Sequence, residues 1–296
     1  MGAAPALLMR PRVALVLGRV SNLPTVLSNV LAGIALSGLV PSGDAIAAIA
    51  GTTLALVLFY VGGMYLNDAF DAEIDAHERP TRPIPRGDAD RLTVFVLGFE
   101  LLGLGLLLTA AFGRTPGFAG IALGLAIVLY NAVHKFTATA PVLMGLCRLL
   151  CYGTAAAMAG GDLDAPLLLA GAVGLFCHVV GLTYAARQEA YGGLGAVWPL
   201  AVLAVPLLIA FDAALEPLQT EALAFAVSLF VAVAVGVFYL LRRAPGDVPH
   251  AVGVLIAAIA LYDATLVAAF GESVAAIVAA LCFPATLALQ RIVPGT

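Results

Sequence analysis

The stretch N-D-A-F-D-A-E-I-D-A-H-E-R-P, Asn67 to Pro80, closes a hydrophobic run in a chain that otherwise avoids charge. It places five carboxylates, Asp68, Asp71, Glu73, Asp75 and Glu78, where a hydrocarbon segment meets water. On a helix continuing from that run, Asn67, Asp71 and Asp75 are spaced by four and share one face, with Glu78 or Arg79 about one turn further on. Like charges at this spacing repel, and a divalent cation removes the repulsion. A hard, all-oxygen cluster without Cys or His suits magnesium, which is typically held by one or two carboxylates together with substrate phosphates and water. The competing reading is a solvated acidic loop that matters only for topology. Three features weigh against it: the acids begin at a membrane boundary, they share a face, and Arg79, Arg82 and Arg86 follow in the same loop, as a polyanionic ligand requires.

Around this stretch, 62% of residues are hydrophobic and 11% charged, with a mean hydropathy of +1.05. Soluble chains run near half apolar and about a quarter charged, so an all-α, polytopic membrane protein is expected. A bilayer core takes about 20 apolar residues as helix. Suitable runs lie near 20–40, 45–67, 91–112, 117–135, 141–160, 165–187, 193–211, 221–241, 250–270 and 273–290. Pro284 interrupts the last run, leaving nine or ten spans. The first apolar run outlasts a signal-peptide core and reads as a retained helix. The longest polar stretch, Asp68 to Arg91, is too short to be a domain, so residues 1–296 read as a single transmembrane domain.

Arg10, Arg12 and Arg19 precede the first span, and Arg79, Arg82, Arg86, Arg91, Lys135, Arg187, Arg242, Arg243 and Arg291 follow even-numbered ones. All fall on one side. Arg114 alone lies among the mostly acidic opposite loops, so the positive-inside rule places both termini and the acidic loop in the cytoplasm. An integral protein of the bacterial inner membrane is expected, surrounded by membrane lipid and without a nucleic-acid partner. Cys147, Cys151, Cys177 and Cys282 lie in apolar runs without the partners a zinc site needs.

The pattern N-D-x-x-D-x-x-x-D followed by R-P-x-R-P-I-P-x-G, Asn67 to Gly87, resembles the first aspartate-rich motif of the UbiA superfamily of intramembrane prenyltransferases. Length, helix count and motif position agree over nearly the whole chain. The resemblance implies that Asn67, Asp71 and Asp75, with Asp68 nearby, hold Mg²⁺ on the diphosphate of a prenyl donor, while Arg79 and Arg82 hold phosphates or order the loop. It also implies a second acidic motif after the sixth helix. The matching stretch is G-L-T-Y-A-A-R-Q-E-A, Gly181 to Ala190, with Ala185 where the first acid would be and Glu189 where the second would be. Either Glu189 holds a second ion, alone or with Gln188, or Arg187 replaces part of the charge compensation of the missing metal site, or the fold has kept a lipid pocket without the transfer reaction. Tyr130 and Lys135 match a Tyr and Lys pair at the end of the fourth helix, or serve as an interfacial aromatic and a topogenic charge. H-K-F-T-A-T-A-P-V-L-M-G-L-C-R, His134 to Arg148, together with T-Y-A-A-R-Q-E, is similar to a divergent UbiA-like branch found beside bacterial metabolite clusters such as ebo.

Glu100, Arg148 and Asp263 fall inside predicted spans, where each is costly against lipid and should face the bundle interior or a wet cavity. Arg148 either meets a diphosphate or polar acceptor, or pairs internally with Glu100 or Asp263. Asn22 and Asn29, seven apart, either line the pocket mouth or join helices by hydrogen bonds. His178 reads as a satisfied core residue. Tyr60, Tyr65, Phe70 and Tyr184 either shelter an allylic cation or sit as interfacial aromatics. The function expected is Mg²⁺-dependent transfer of an isoprenyl group from a prenyl diphosphate to an unidentified acceptor. Asp71, Asp75, Arg148 and Lys135 are its catalytic candidates, and Asn22, Asn67, Asp68, Arg79, Arg82, Tyr130, Tyr184 and Arg187 its substrate-binding candidates. Asn67, Asp71, Asp75 and Glu189 are the metal candidates. The rival is a noncatalytic UbiA-like protein that binds or moves a lipid or isoprenoid-linked metabolite.

Overall fold

The computed structural model describes residues 9–39, 45–188 and 198–295. These residues are almost wholly helical. The chain begins with α1 (Pro11–Leu17), a short 3-10 turn (Val20–Asn22) and α2 (Leu23–Leu36), bent by 58° at the turn. Arg19 at the break has φ of +43°, a left-handed conformation uncommon outside glycine, and Pro24 starts α2 where its missing N–H costs nothing. Next come α3 (Ala45–Glu78), α4 (Arg91–Ala111), α5 (Arg114–Val133), α6 (Ala140–Ala159) and α7 (Pro166–Gln188). The chain closes with α8 (Ala204–Leu215), α9 (Thr220–Arg242), α10 (Asp247–Ala269) and α11 (Ser273–Gln290).

Eight of these helices are long and apolar enough to cross a bilayer, and the bent α1–α2 pair makes a ninth. Pro284 lies inside α11 without ending it. The expected run at 193–211 is corrected: among the described residues it is a 3-10 segment, Trp198–Leu203, leading into α8 of 12 residues, too short to span about 30 Å of hydrocarbon. The first run is corrected too, since helix begins at Pro11 and breaks at Gly18.

The 34 residues of α3 reach about 51 Å at 1.5 Å per residue. That is some 20 Å more than the hydrocarbon core, so the acidic stretch is the protruding end of a membrane helix. The loop after it folds back through Arg82 N–H to Arg79 C=O, Arg86 N–H to Arg82 C=O and Asp88 N–H to Pro83 C=O bonds. Gly87 turns the chain at φ +78°, which a side chain would oppose. Asp90 then caps α4, its carboxylate accepting from the Thr93 N–H at 2.8 Å and the Thr93 hydroxyl at 2.9 Å. Those bonds hold the Asp90 carboxyl below its usual range.

Helix α10 is the centre of the bundle, buried without interruption from Ala257 to Ala268 and packed by α2, α7, α8, α9 and α11. Ala257, Ala258, Ala260, Ala264 and Ala268 let the neighbouring backbones approach. The lipid-facing belt is made of residues such as Leu104, Leu107, Phe118 and Leu125. Glu100 joins that belt, against the expectation of an inward position. The buried stripe of α4 is Val94, Gly98, Leu102, Gly105 and Thr109, and Glu100 lies two residues, about 200°, from Gly98.

At Gly33 an added Cβ would come within 2.8 Å of the Tyr152 carbonyl oxygen and of Ala155 Cβ, so α2 and α6 touch backbone to backbone. Gly153, on the same helix as Tyr152, has open space there. Gly33→Ala should therefore destabilise the purified protein by about 1–3 kcal/mol, while Gly153→Ala should be neutral or stabilising by up to about 1 kcal/mol. Thermal unfolding in detergent measures both, and equal responses would refute the close contact.

Candidate functional site

The protruding end of α3 borders a cavity of about 890 Å³ whose walls come from α1 to α3, α5 to α7 and α10. Its depth is apolar, with Val26, Leu56, Phe59, Leu123 and Ile127, and its mouth is charged.

Asn67, Asp68, Asp71 and Asp75 are all buried, from 6% to 1% exposed, because the loop after α3, the turn before α2 and the end of α5 close over them. Each meets a cation or an amide. Arg19 donates to Asn67 Oδ1 at 3.0 Å and Asp68 Oδ1 at 3.1 Å. Arg82 Nη1 bridges Asp68 Oδ1 at 2.9 Å and Asp75 Oδ2 at 3.0 Å. Asp71 Oδ2 lies 3.2 Å from His134 Nε2 and 3.5 Å from Lys135 Nζ. Asn67 Nδ2 donates to Asn131 Oδ1, whose own amide holds the Gly63 carbonyl on α3. Burial draws the Arg82 guanidinium below its ordinary value, and Arg19 beside it adds to the fall, against the pull of Asp68 and Asp75. An arginine keeps its charge regardless.

Asp75 is the exception in this cluster. Its Oδ2 meets Arg82, but its Oδ1 is buried with no hydrogen-bond partner, an arrangement that proteins avoid unless a ligand or ion supplies the missing contact. Asp75 does not line the cavity, whereas its partner Arg82 and the carboxylates Asp68 and Asp71 do. Among the described residues no three His, Cys, Asp or Glu side chains converge as a ready metal cage. The acidic face itself nonetheless offers oxygens, with the His134 nitrogen beside Asp71, and one of those oxygens has no partner, which fits a hard cation.

The other expected residues divide. Lys135 and Tyr130 do more than mark topology: Lys135 reaches Asp71, and Tyr130 stacks on His134 with ring centres 4.8 Å apart. Arg79 lines the cavity mouth but is exposed, so Arg82 rather than Arg79 compensates the acids. Arg187 lines the cavity and donates to the Thr137 carbonyl at 2.9 Å. Tyr184 is corrected: α7 turns Thr183 and Arg187, four apart, toward the cavity and leaves Tyr184 half-buried off its wall. Ala185 is fully buried, and Glu189 lies outside the described residues. Asn22 binds Tyr60 Oη and the Gly295 carbonyl, and accepts from Gln290.

Arg148 lines the cavity from α6 and pairs with neither Glu100 nor Asp263. It donates to Asn29 Oδ1 at 2.6 Å and Thr25 Oγ1 at 3.2 Å, with its guanidinium 5.7 Å from the centre of the Tyr60 ring. Asp263, fully buried, instead accepts from Ser28, Asn29 and Tyr152. His178 is buried and bonded to the Leu255 carbonyl.

Arg19, Asn131 and His134 escape a reading of motifs. The position of Arg19 between Gly18 and the helix-starting Pro24 is the one available signal, a cation at a break within an apolar run. Together, Arg19, Arg79, Arg82, Lys135, Arg148 and Arg187 line the cavity against Asp68, Asp71 and Glu78, with Asp75 just behind. Six cations against four carboxylates leave a net positive well, suited to an anion carrying several charges.

The profile of the UbiA prenyltransferase family matches residues 25–193. The digeranylgeranylglyceryl phosphate synthase of Ignicoccus hospitalis is 39% identical over 119 residues, 40% of this chain and 37% of that protein. The protoheme IX farnesyltransferase of Geobacter sulfurreducens is 33% identical over 137 residues, 45% of this chain and 46% of that one. The matched segment thus spans less than half the length of these curated relatives. A solved structure concerned with digeranylgeranylglyceryl phosphate synthase superposes with a TM-score of 0.60 at 16% identity, covering 87% of this chain and 97% of that one. A UbiA homolog from Archaeoglobus fulgidus bound to GPP and Mg²⁺ superposes at 0.52 and 15% identity, covering 94% and 99%. At these identities the structural likeness is one of fold.

Removing the bridging guanidinium tests the charge balance. Arg82→Ala leaves Asp68 and Asp75 undercompensated, and because Arg82 is 16% exposed the loss should fall below the about 3–5 kcal/mol of a fully buried pair. Added Mg²⁺ should restore part of the thermal midpoint in that variant more than in the parent. A midpoint insensitive to both changes would show that the cluster is not held by charge compensation.

Proposed function

The chain belongs to the UbiA prenyltransferase family, an integral membrane family, and from that membership and the cluster at the cavity mouth we propose that it transfers an isoprenyl group from a prenyl diphosphate to an acceptor. The single observation that carries the reading is the buried Asp75 Oδ1 without a partner, in a carboxylate-rich cluster beside a net positive, partly apolar cavity. Asp68, Asp71 and Asp75, with Asn67, would hold Mg²⁺, which supplies Lewis-acid charge to the departing diphosphate.

The residues of this chain do the remaining work. Arg19, Arg82, Lys135 and Arg187 bind the diphosphate oxygens, and Arg82 leaves Asp75 for the phosphates when the donor arrives. The allylic C1–O bond breaks with its electron pair on the diphosphate, whose growing charge those cations stabilise. Tyr130 and the apolar wall below it keep water from the allylic cation while the acceptor's nucleophile bonds to C1 and releases a proton. The isoprenoid tail occupies the apolar depth past Leu56 and Phe59. The chain acts as one domain in a bacterial inner membrane, its donor site open to the cytoplasm.

Arg187, which lines the cavity, replaces part of the positive charge of the metal that an acid at position 185 would have held. A second reading, binding or movement of a lipid without transfer, draws on Ala185 alone.

Diphosphate release from purified protein, incubated with prenyl diphosphates of several lengths and a crude membrane extract as acceptor source, tests the reading. Release should need Mg²⁺ and fall by about 10²-fold or more in Asp71→Asn. Donor binding without release would favour the second reading, and unchanged metal dependence in Asp71→Asn would remove the metal site. Arg187→Ala should also weaken donor binding more than Glu189→Gln does; the reverse order would return the role to a second ion held by Glu189.

A further inference from the structure

We infer that Arg148, held by Thr25 and Asn29 over the Tyr60 ring, forms a second anion subsite deep in the cavity, and that it receives the carboxylate or phosphate head of the acceptor. This rests on the transfer reading, whose donor takes the mouth of the same cavity.

The surroundings of Arg148 separate it from three cations of the mouth. Arg19, Arg82 and Lys135 each lie against a carboxylate. Arg148 has no carboxylate within 4.0 Å among the described residues, and its two protein partners are the neutral oxygens of Asn29 and Thr25. A guanidinium has five N–H donors, so the remaining ones are left for a ligand in the cavity that Arg148 lines.

The nearest internal anion is already committed. Both oxygens of Asp263 accept bonds, from Ser28 at 2.5 Å, Asn29 at 2.8 Å and Tyr152 at 2.5 Å. The Asn29 amide joins the two groups, its N–H on Asp263 and its carbonyl on Arg148, so Asp263 fixes the amide and the amide fixes the guanidinium. The Thr25 hydroxyl spends its proton on the Asn22 carbonyl at 2.8 Å and therefore presents a lone pair to Arg148. The fork is positioned from behind by neutral groups while its charge is left uncompensated by any direct partner. A cation so placed within a membrane bundle marks a ligand site.

Its depth argues against the donor diphosphate as that ligand. Arg148 is eight residues into α6 from Ala140, about 12 Å along the axis, and Tyr60 is eleven residues before Asp71 on α3, about 16 Å. A diphosphate seated on Arg19, Arg82 and Lys135 does not bridge that distance, and an isoprenoid tail has no use for a cation. An acceptor whose reacting atom meets C1 near the mouth, and whose anionic head lies a short spacer deeper, does.

The test uses the full chain in detergent and two matched pairs of probes, a hydroxybenzoate with its uncharged carboxamide and glycerol phosphate with glycerol. Binding of each is measured beside Mg²⁺-dependent binding of a prenyl thiodiphosphate. At least one anionic probe should bind about tenfold or more tighter than its neutral partner, as a charge-assisted bond implies. Arg148→Gln should erase that difference, Arg148→Lys should keep part of it, and thiodiphosphate binding should stay unchanged in both. Thr25→Val, which keeps the charge and loosens its seat, should reduce the preference if Arg148→Gln fails to fold. A parent without charge preference in either pair, or a preference that survives Arg148→Gln, overturns the subsite. Loss of thiodiphosphate binding in the parent with an Arg148-dependent preference intact would overturn the transfer reading alone.

Discussion

Arg82 Nη1 lies 2.9 Å from Asp68 and 3.0 Å from Asp75, and the mouth of the cavity is organised around that shared charge. Carboxylates buried at the end of an apolar bundle are costly unless each is compensated. The loop of Arg79 to Asp90 folds back on α3 and brings Arg82 to them, the turn at Arg19 brings a second guanidinium, and the end of α5 brings His134 and Lys135. Three separate segments of chain are thus tied to one face of one helix. Compensation is incomplete at Asp75 Oδ1. The proposed transfer reaction draws on that imbalance, since charges with alternative partners are the ones an incoming anion or metal ion would re-pair.

The length of α3 makes the arrangement available. A helix that ended with the hydrocarbon would leave its acids in a flexible loop, whereas a helix running some 20 Å past it holds Asn67, Asp71 and Asp75 in one row and lets neighbouring segments pack on them. The bend between α1 and α2 serves the same end. It places Arg19 beside Asp68, and Gly18 at the break lies close against Val61 and Tyr65 of α3.

Deeper in the bundle a second polar network has a different character. Asp263, Ser28, Asn29 and Tyr152 form a closed set of hydrogen bonds around α10, and Arg148 stands at its edge facing the cavity. A saturated network in a low-dielectric interior holds its members rigidly. The cavity therefore has two charged regions, the cluster at its mouth and a deeper cation held in place over Tyr60, with the apolar lining of Leu56 and Phe59 beyond.

The amino-acid sequence by itself determined much of this. The excess of apolar residues and their runs specify a membrane helix bundle, and the spacing of Asn67, Asp71 and Asp75 specifies one acidic face, because composition and helical period are local properties. The departure at Ala185 and the candidacy of Arg148 were also legible, since a charge within an apolar run is conspicuous without any fold. Other features were decided only by tertiary structure. That Arg82 and not Arg79 meets the acids depends on how Pro83, Pro85 and Gly87 turn the loop, and that Arg19 reaches the cluster depends on a helix break 48 residues before Asn67. Glu100 turned outward because the small-residue stripe of α4 lies on its opposite side, and Tyr184 left the cavity wall because Thr183 and Arg187 took that face of α7. Which side of a helix is covered, and by which distant segment, is a property of packing, and no local pattern in the chain encodes it.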